Sequence, residues 1–165
     1  MKDKELDELD LEILKILNKD GRSPHSSIAT ELGKSHLTVK KHIDELEREG
    51  IIKGYSANID YEKLGYDIIA FIEITISKGK MLDVEKEIAC LPNIFGVYDI
   101  TGTYDAIILA RFKTRPELSA LIKKINSNEY VVRTNTHLIL NVIKDKISFT
   151  DLMNFEQTKN KDYKK

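Results

Sequence analysis

Through the first fifty residues apolar side chains recur every three or four positions, the period of one face of a helix. Leu6, Leu9, Ile13, Ile16 and Leu17 define a first helix that ends near Asp20-Gly21. Ser23-Pro24 reads as an N-cap followed by proline at the first helical position, where the missing N–H is not needed. Ile28, Ala29 and Leu32 give the second helix its buried stripe. Gly33 can take the left-handed conformation that ends a helix and Ser35 can cap the next, leaving a three-residue turn between them. Val39, Ile43 and Leu46 stripe a third helix that stops at Gly50. Helices joined this tightly cross at a steep angle, as in a helix-turn-helix.

Beyond Gly50 the pattern changes. Ile51 to Ile59 is β-branched and aromatic with a glycine inside, which predicts a short hairpin or wing followed by a connecting strand. From Tyr66 the order reads strand, helix, strand, strand, helix, strand. Residues 68–77 alternate; Val84, Ile88 and Leu91 stripe a helix; residues 94–101 and 105–112 are strands separated by Gly102-Thr103-Tyr104. Pro116 opens a helix carrying Leu118, Leu121, Ile122 and Ile125, and residues 134–143 close with a last strand. Such a split βαββαβ order packs both helices on one face of a four-stranded sheet. The fold class is therefore α+β: a winged helix-turn-helix followed by a ferredoxin-like domain. The expected boundaries are 1–54 for the first domain, 55–66 for a connecting strand and linker, 67–147 for the second domain, and 148–165 for a polar, frayed tail.

Ile68, Ala70, Ile72, Ile74 and Ile76 can face the helices, yet Ile69, Phe71, Ile107, Leu109, Ile139 and Ile143 remain for the other side of the sheet. A wetted outer face should be mostly polar. A second copy covering it explains the excess, with Ile69, Phe71, Ile107, Leu109 and Ile139 as interface candidates; scattered surface apolars are the alternative.

Composition narrows the class. The 165 residues include 26 Lys+Arg against 27 Asp+Glu, 41% hydrophobic residues, one cysteine and no Trp, which excludes collagenous, disulfide-scaffold and long disordered chains. The lone Cys90 cannot form an internal disulfide and fits a reducing cytoplasm. The first twelve residues alternate charge with leucine, unlike a signal peptide, and the run from Ile68 to Ile76 is too short to cross a bilayer.

Charge is local rather than global. Residues 1–60 carry a net −3, but Lys34 to Ile43 holds three lysines, two histidines and no acid. A third helix standing proud of its bundle can enter a DNA major groove. Its outward candidates are His36, Thr38, Lys40, Lys41 and His42, with Lys34 and Ser35 at the N-terminus, where backbone N–H groups can meet phosphate. A plain three-helix bundle with a solvated lysine face is the alternative. His36 and His42, six apart, lie on different sides of a helix with no cysteine nearby, so no metal is expected. There is no nucleophile elbow, phosphate loop or HExxH pattern, and Cys90 falls where a helix would bury it, so neither catalysis nor a cofactor is expected.

These residues resemble a known family. Leu9-Asp10 through Leu17, Asp20-Gly21-Arg22, Ser35, and Leu46 through Ala57 with Gly50, Gly54 and Tyr55 look like the N-terminal half of the Lrp/AsnC, or feast/famine, transcription regulators. Leu64-Gly65, Thr101-Gly102-Thr103-Tyr104-Asp105 and Thr134-Asn135-Thr136 look like that family's ligand-sensing (RAM-type) domain, and the likeness spans roughly residues 6–145. It implies dimers, often tetramers or octamers, and an amino acid or related small molecule as effector. The family's Gly-x-x-Asp loop is matched by Gly102 and Asp105, with Thr103 and Tyr104 between them; Thr134, Thr136 and His137 match positions close to the pocket. Glycine lets a backbone approach a ligand, and a carboxylate suits an α-ammonium group. Read without the resemblance, composition favours Gly102 to Asp105 as an ordinary hairpin turn. Two functions follow as expectations: a regulator of transcription that binds double-stranded DNA and answers to a small molecule, or an architectural DNA-binding protein whose second domain serves assembly alone.

Overall fold

The computed structural model describes residues 5–77, 79–145 and 148–162. The chain divides into two compact units, Met1–Asn58 with Asp145–Lys165, and Ile59–Lys144.

The first unit holds α1 (Glu8–Lys19), α2 (His25–Glu31), α3 (His36–Arg48) and α6 (Phe149–Asp162). A capping box opens α1: Asp7 accepts from the Asp10 amide at 2.8 Å, and the Asp10 carboxylate accepts from the Asp7 amide at 3.2 Å. The three stripes read from the sequence converge in one core of Ile13, Ile28, Ala29, Val39, Ile43 and Leu46. Each of the larger apolar side chains contributes roughly 1.5–3 kcal/mol on full burial. Gly33, at φ 62°, turns the chain from α2 to α3, and Ser35 accepts from the Thr38 amide at 3.0 Å.

Three expectations for this unit change. Pro24, not Ser23, is the N-cap of α2, with no side-chain cap; its carbonyl accepts from Ser27 and Ile28. Proline holds φ near −65° in extended and helical backbone alike, so the helix can begin one residue later than its usual N1 proline suggests. Residues 51–60 form no strand, so the wing and connecting strand are absent as paired structure: the described backbone offers them no ladder partner. The expected frayed tail is instead helical from Phe149, with Ser148 Oγ accepting from the Asp151 amide at 3.2 Å.

The second unit holds β1 (Ile68–Ile76), α4 (Met81–Ala89), β2 (Ile94–Asp99), β3 (Ala106–Phe112), α5 (Arg115–Asn126) and β4 (Val131–Ile139). The strands pair antiparallel in the order β2-β3-β1-β4. Ala70, Ile72 and Ile74 of β1 sit beside Ala110, Ile108 and Ala106 of β3, and this inner face packs on Val84 and Ile88 of α4 and Leu118, Leu121 and Ile125 of α5. α5 starts with a capping box between Thr114 and Glu117 and a proline in its first turn.

Two further expectations fail here. Cys90 is the C-cap of α4 and is exposed, because the buried stripe runs through Val84 and Ile88 and the helix ends before its next turn. Ile143 lies beyond the end of β4 and is 93% exposed, so it is not part of the sheet face.

Candidate nucleic-acid and effector sites

α3 is positioned by its own buried stripe. With Val39, Ile43 and Leu46 fixed in the core, the helix turns Lys40 and Lys41 outward, while Lys34, Ser35 and His36 are exposed at its N-terminal end. Thr38 is half-buried, its hydroxyl 2.7 Å from that of Ser35. Lys40 pairs with Asp44 at 2.5 Å on the same surface. The apolar Leu37, 75% exposed between His36 and Thr38, was missed by patterning and suits contact with a thymine methyl group. An apolar residue off the helical stripe was its only signal.

His42 is the correction in this group. Expected outward, it turns instead toward α1, where its Nδ1 lies 2.8 Å from Oδ1 of the fully buried Asp10. Position 42 borders the 39–43–46 stripe, and a buried carboxylate draws in a donor. Asp7, Asp10 and His42 bring donor atoms within 4.8 Å of one another, close enough to suggest a metal. The capping box and the bond between α1 and α3 already account for their geometry. Just past α3, the Tyr55 hydroxyl donates to Glu47 Oε1 at 2.9 Å. Burial, then the bond to Glu47 and its charge, push the phenol up to about 12.

In the second unit, residues 100–105 link β2 to β3. Gly102 has φ 129°, a conformation that glycine alone adopts freely. Asp105 anchors the loop: its amide donates to Ile74 O at 2.9 Å, and its Oδ2 accepts from the Ile76 amide at 2.7 Å. Thr103 is exposed, and Tyr104 lies under the Arg133 guanidinium, 4.8 Å from the ring centroid. Thr134 and Thr136 pair with Ile74 and Ile72, on the helix side of the sheet. His137 pairs with Phe71 on the opposite side, which separates it from the threonines. There His137, Asn135 and Glu73 form a polar cluster, with contacts of 2.8–3.2 Å, beside the Phe71 ring.

That same outer face carries Ile69, Phe71, Ile107, Leu109 and Ile139, all half-buried, and Tyr98, 55% exposed. On the inner side Glu85 of α4 is only 8% exposed, and its Oε1 has no hydrogen-bond partner. Burial first, then the charges of Asp99 and Asp105, raise its pKa above the ordinary glutamate value. Sequence reading missed Glu85, because the heptad-like spacing of Val84, Ile88 and Leu91 gives no sign that an acid lies beneath the helix.

A helix-turn-helix unit whose third helix turns a basic N-terminal half outward, followed by a separate βαββαβ unit, defines a DNA-binding regulator with a ligand-binding domain. Similarity to known proteins agrees with this. Residues 6–53 match the winged helix-turn-helix DNA-binding model and residues 69–149 the Lrp/AsnC ligand binding domain. An HTH-type transcriptional regulator of Pyrococcus abyssi is 39% identical over 140 residues, covering 85% of this chain and 95% of its own. The HTH-type transcriptional regulator FL11 of Pyrococcus furiosus is 36% identical, covering 85% and 93%. Among solved structures, AsnC of E. coli superposes with a TM-score of 0.82 at 27% identity, covering 88% of this chain and 99% of that one. The chain belongs to the Lrp/AsnC family of transcription regulators, a family of DNA-binding proteins rather than enzymes. No described helix is long and apolar enough to cross a membrane.

Proposed function

We propose that the protein is a dimeric, cytoplasmic transcription regulator whose affinity for DNA or state of assembly responds to an amino acid held at the 100–105 loop. α3 reads the major groove through His36, Leu37, Lys40 and Lys41, with Lys34, Ser35 and Thr38 meeting phosphate. The observation that carries the effector reading is the loop itself: Gly102 holds a backbone open to close approach, and Asp105 is anchored through Oδ2. This places its carboxylate charge at a defined point for an α-ammonium group. Thr134 or Thr136 would supply a hydroxyl. For the ligand to act, it must bind one assembly or DNA-binding state better than the other.

The bond from Ile76 to Asp105 also favours the second reading, in which the loop is purely structural and the domain only assembles an architectural DNA binder. Asp105→Asn separates them, since asparagine keeps an oxygen for the Ile76 amide and loses the charge. DNA affinity and sedimentation are measured with and without each amino acid, in the wild type and Asp105→Asn. A response present in the wild type and lost in the variant is expected. No response in the wild type establishes the architectural reading.

A further inference from the structure

The outer face of the sheet carries two residues of opposite charge, one toward each end of the apolar patch. On β3, Arg111 shares this face with Ile107 and Leu109, and its cross-strand neighbour is Ile69. Its guanidinium is held between two aromatic rings, 5.0 Å from the centroid of Tyr61 and 5.4 Å from that of Phe95. It meets no carboxylate among the described residues. On β1, Glu73 sits beside Ile107. Its Oε2 accepts from Asn135 Nδ2 at 2.8 Å and lies 3.2 Å from His137 Nε2, which fixes the carboxylate and leaves Oε1 without a partner among the described residues. The two charges do not meet within one chain: the register places them four strand residues apart, roughly 13 Å at about 3.3 Å per residue. Phe71 and Leu109 lie midway between them.

An apolar cover on this face would take a guanidinium and a carboxylate out of water with no counter-charge for the first, which is strongly unfavourable. A second copy brings both charges, and symmetry decides which of them meet. In a self-complementary pair of aligned sheets the twofold axis lies between the sheets, either along the strands or across them. An axis along the strands leaves each charge at the level of its own twin, Glu73 with Glu73 and Arg111 with Arg111. An axis across the strands, at the level of Phe71 and Leu109, exchanges the two ends. Glu73 of each copy then stands opposite Arg111 of the other, on either side of an apolar centre. Like charges across an interface oppose association, whereas opposite charges fix its register. A planar guanidinium held by stacking is also suited to a carboxylate. We propose that Arg111 and Glu73 form a reciprocal ion pair between two copies of this chain, and that this pair sets the facing sheets antiparallel, with the twofold axis crossing the strands at Phe71 and Leu109. This rests on the reading of the outer face as a dimer interface. Tyr61 and Phe95 position the cation, and Asn135 and His137 position the anion.

Charge reversal tests the pairing. Sedimentation of the full chain over a concentration series gives the dimer dissociation constant for the wild type, Glu73→Lys, Arg111→Glu and the double variant, with circular dichroism confirming that each is folded. Either single reversal sets like charges together at both ends and is expected to weaken the dimer at least about tenfold. The double variant makes the charges opposite again and is expected to return to within about threefold of the wild type. An equimolar mixture of the two single variants should recover in the same way, since each meets its complement on the other chain. Should a reversal unfold the domain, Glu73→Gln and Arg111→Gln carry the test, and their losses are then expected to be less than additive in the double variant. Single variants that dimerise as the wild type does overturn the ion pair and leave the dimer standing. A double variant as weak as the two losses combined, or a mixture without recovery, overturns it as well. A wild type that stays monomeric removes the dimer reading itself, and this inference with it.

Discussion

Across the interface of α1 and α3, His42 Nδ1 lies 2.8 Å from the Asp10 carboxylate, which is fully buried. His42, expected to face DNA, thereby holds α3 to α1. Because the same carboxylate also caps α1, it couples the start of the first helix to the orientation of the third.

Removing the imidazole should therefore be felt in stability before it is felt in DNA contacts. His42→Ala leaves a buried carboxylate short of a donor, at a cost of roughly 1–3 kcal/mol. Chemical denaturation monitored by circular dichroism should show the midpoint fall without a change in slope. In a double-mutant cycle with Asp10→Asn, a coupling of at least about 0.5 kcal/mol is expected. Strict additivity would mean that the two side chains do not interact.

Lys40 and Lys41 differ in their surroundings, since of the two it is Lys40 that has an ion-pair partner among the described residues, Asp44. Substituting either with alanine should weaken DNA binding and flatten the plot of log affinity against log salt by up to about 0.9 for each phosphate no longer neutralised. Asp44→Asn should do the reverse, releasing Lys40 and removing a negative charge near the phosphates. Fluorescence anisotropy over a salt series measures both. Unchanged slopes in all three variants would place the DNA on another surface.

Phe71 and Leu109 are direct neighbours in the β1–β3 register at the centre of the outer sheet face. A charge at either position should abolish a sheet-against-sheet dimer, each side chain being worth roughly 1.5–3 kcal/mol on full burial. Sedimentation velocity of Phe71→Asp and Leu109→Asp should give monomers or aggregates. An intact dimer in both moves the interface elsewhere.

Two groups should betray their surroundings on titration. Tyr55, donating to Glu47, should ionise near pH 12, read from the phenolate absorbance, and Tyr55→Phe should abolish that step. Glu85 has a folded pKa raised above its ordinary value of 4.5. The protonated form is the one the fold favours, so its stabilising contribution is complete below about pH 4.5 and is lost as the pH rises through the raised value. Glu85→Gln should remove that part of the decline, leaving the variant at least as stable as the wild type at neutral pH without ligand. A melting temperature whose pH dependence is the same in both proteins would contradict the placement of Glu85.

Elements that depend on near neighbours are legible along the chain. Apolar residues three and four apart put Ile13, Ile28, Val39 and Ile43 into one core, and alternation sorted Ile72 and Ile74 from Phe71 and Leu109 across the sheet. Glycine at 33 and serine at 35 set the turn before α3, because a left-handed backbone and an N-cap are local requirements. Position 42 was settled only in three dimensions: its partner, Asp10, is 32 residues away and on another helix, and no periodicity encodes that meeting. Likewise, Thr136 and His137 are adjacent in the chain yet fall on opposite faces of the sheet, since pleating separates neighbours that a linear motif reads together. The acids Glu85, Asp99 and Asp105 come from a helix, a strand end and a loop end, and only tertiary packing brings their charges to bear on one another. Electrostatic repulsion depends on distance through space, and distance along the chain carries no record of it.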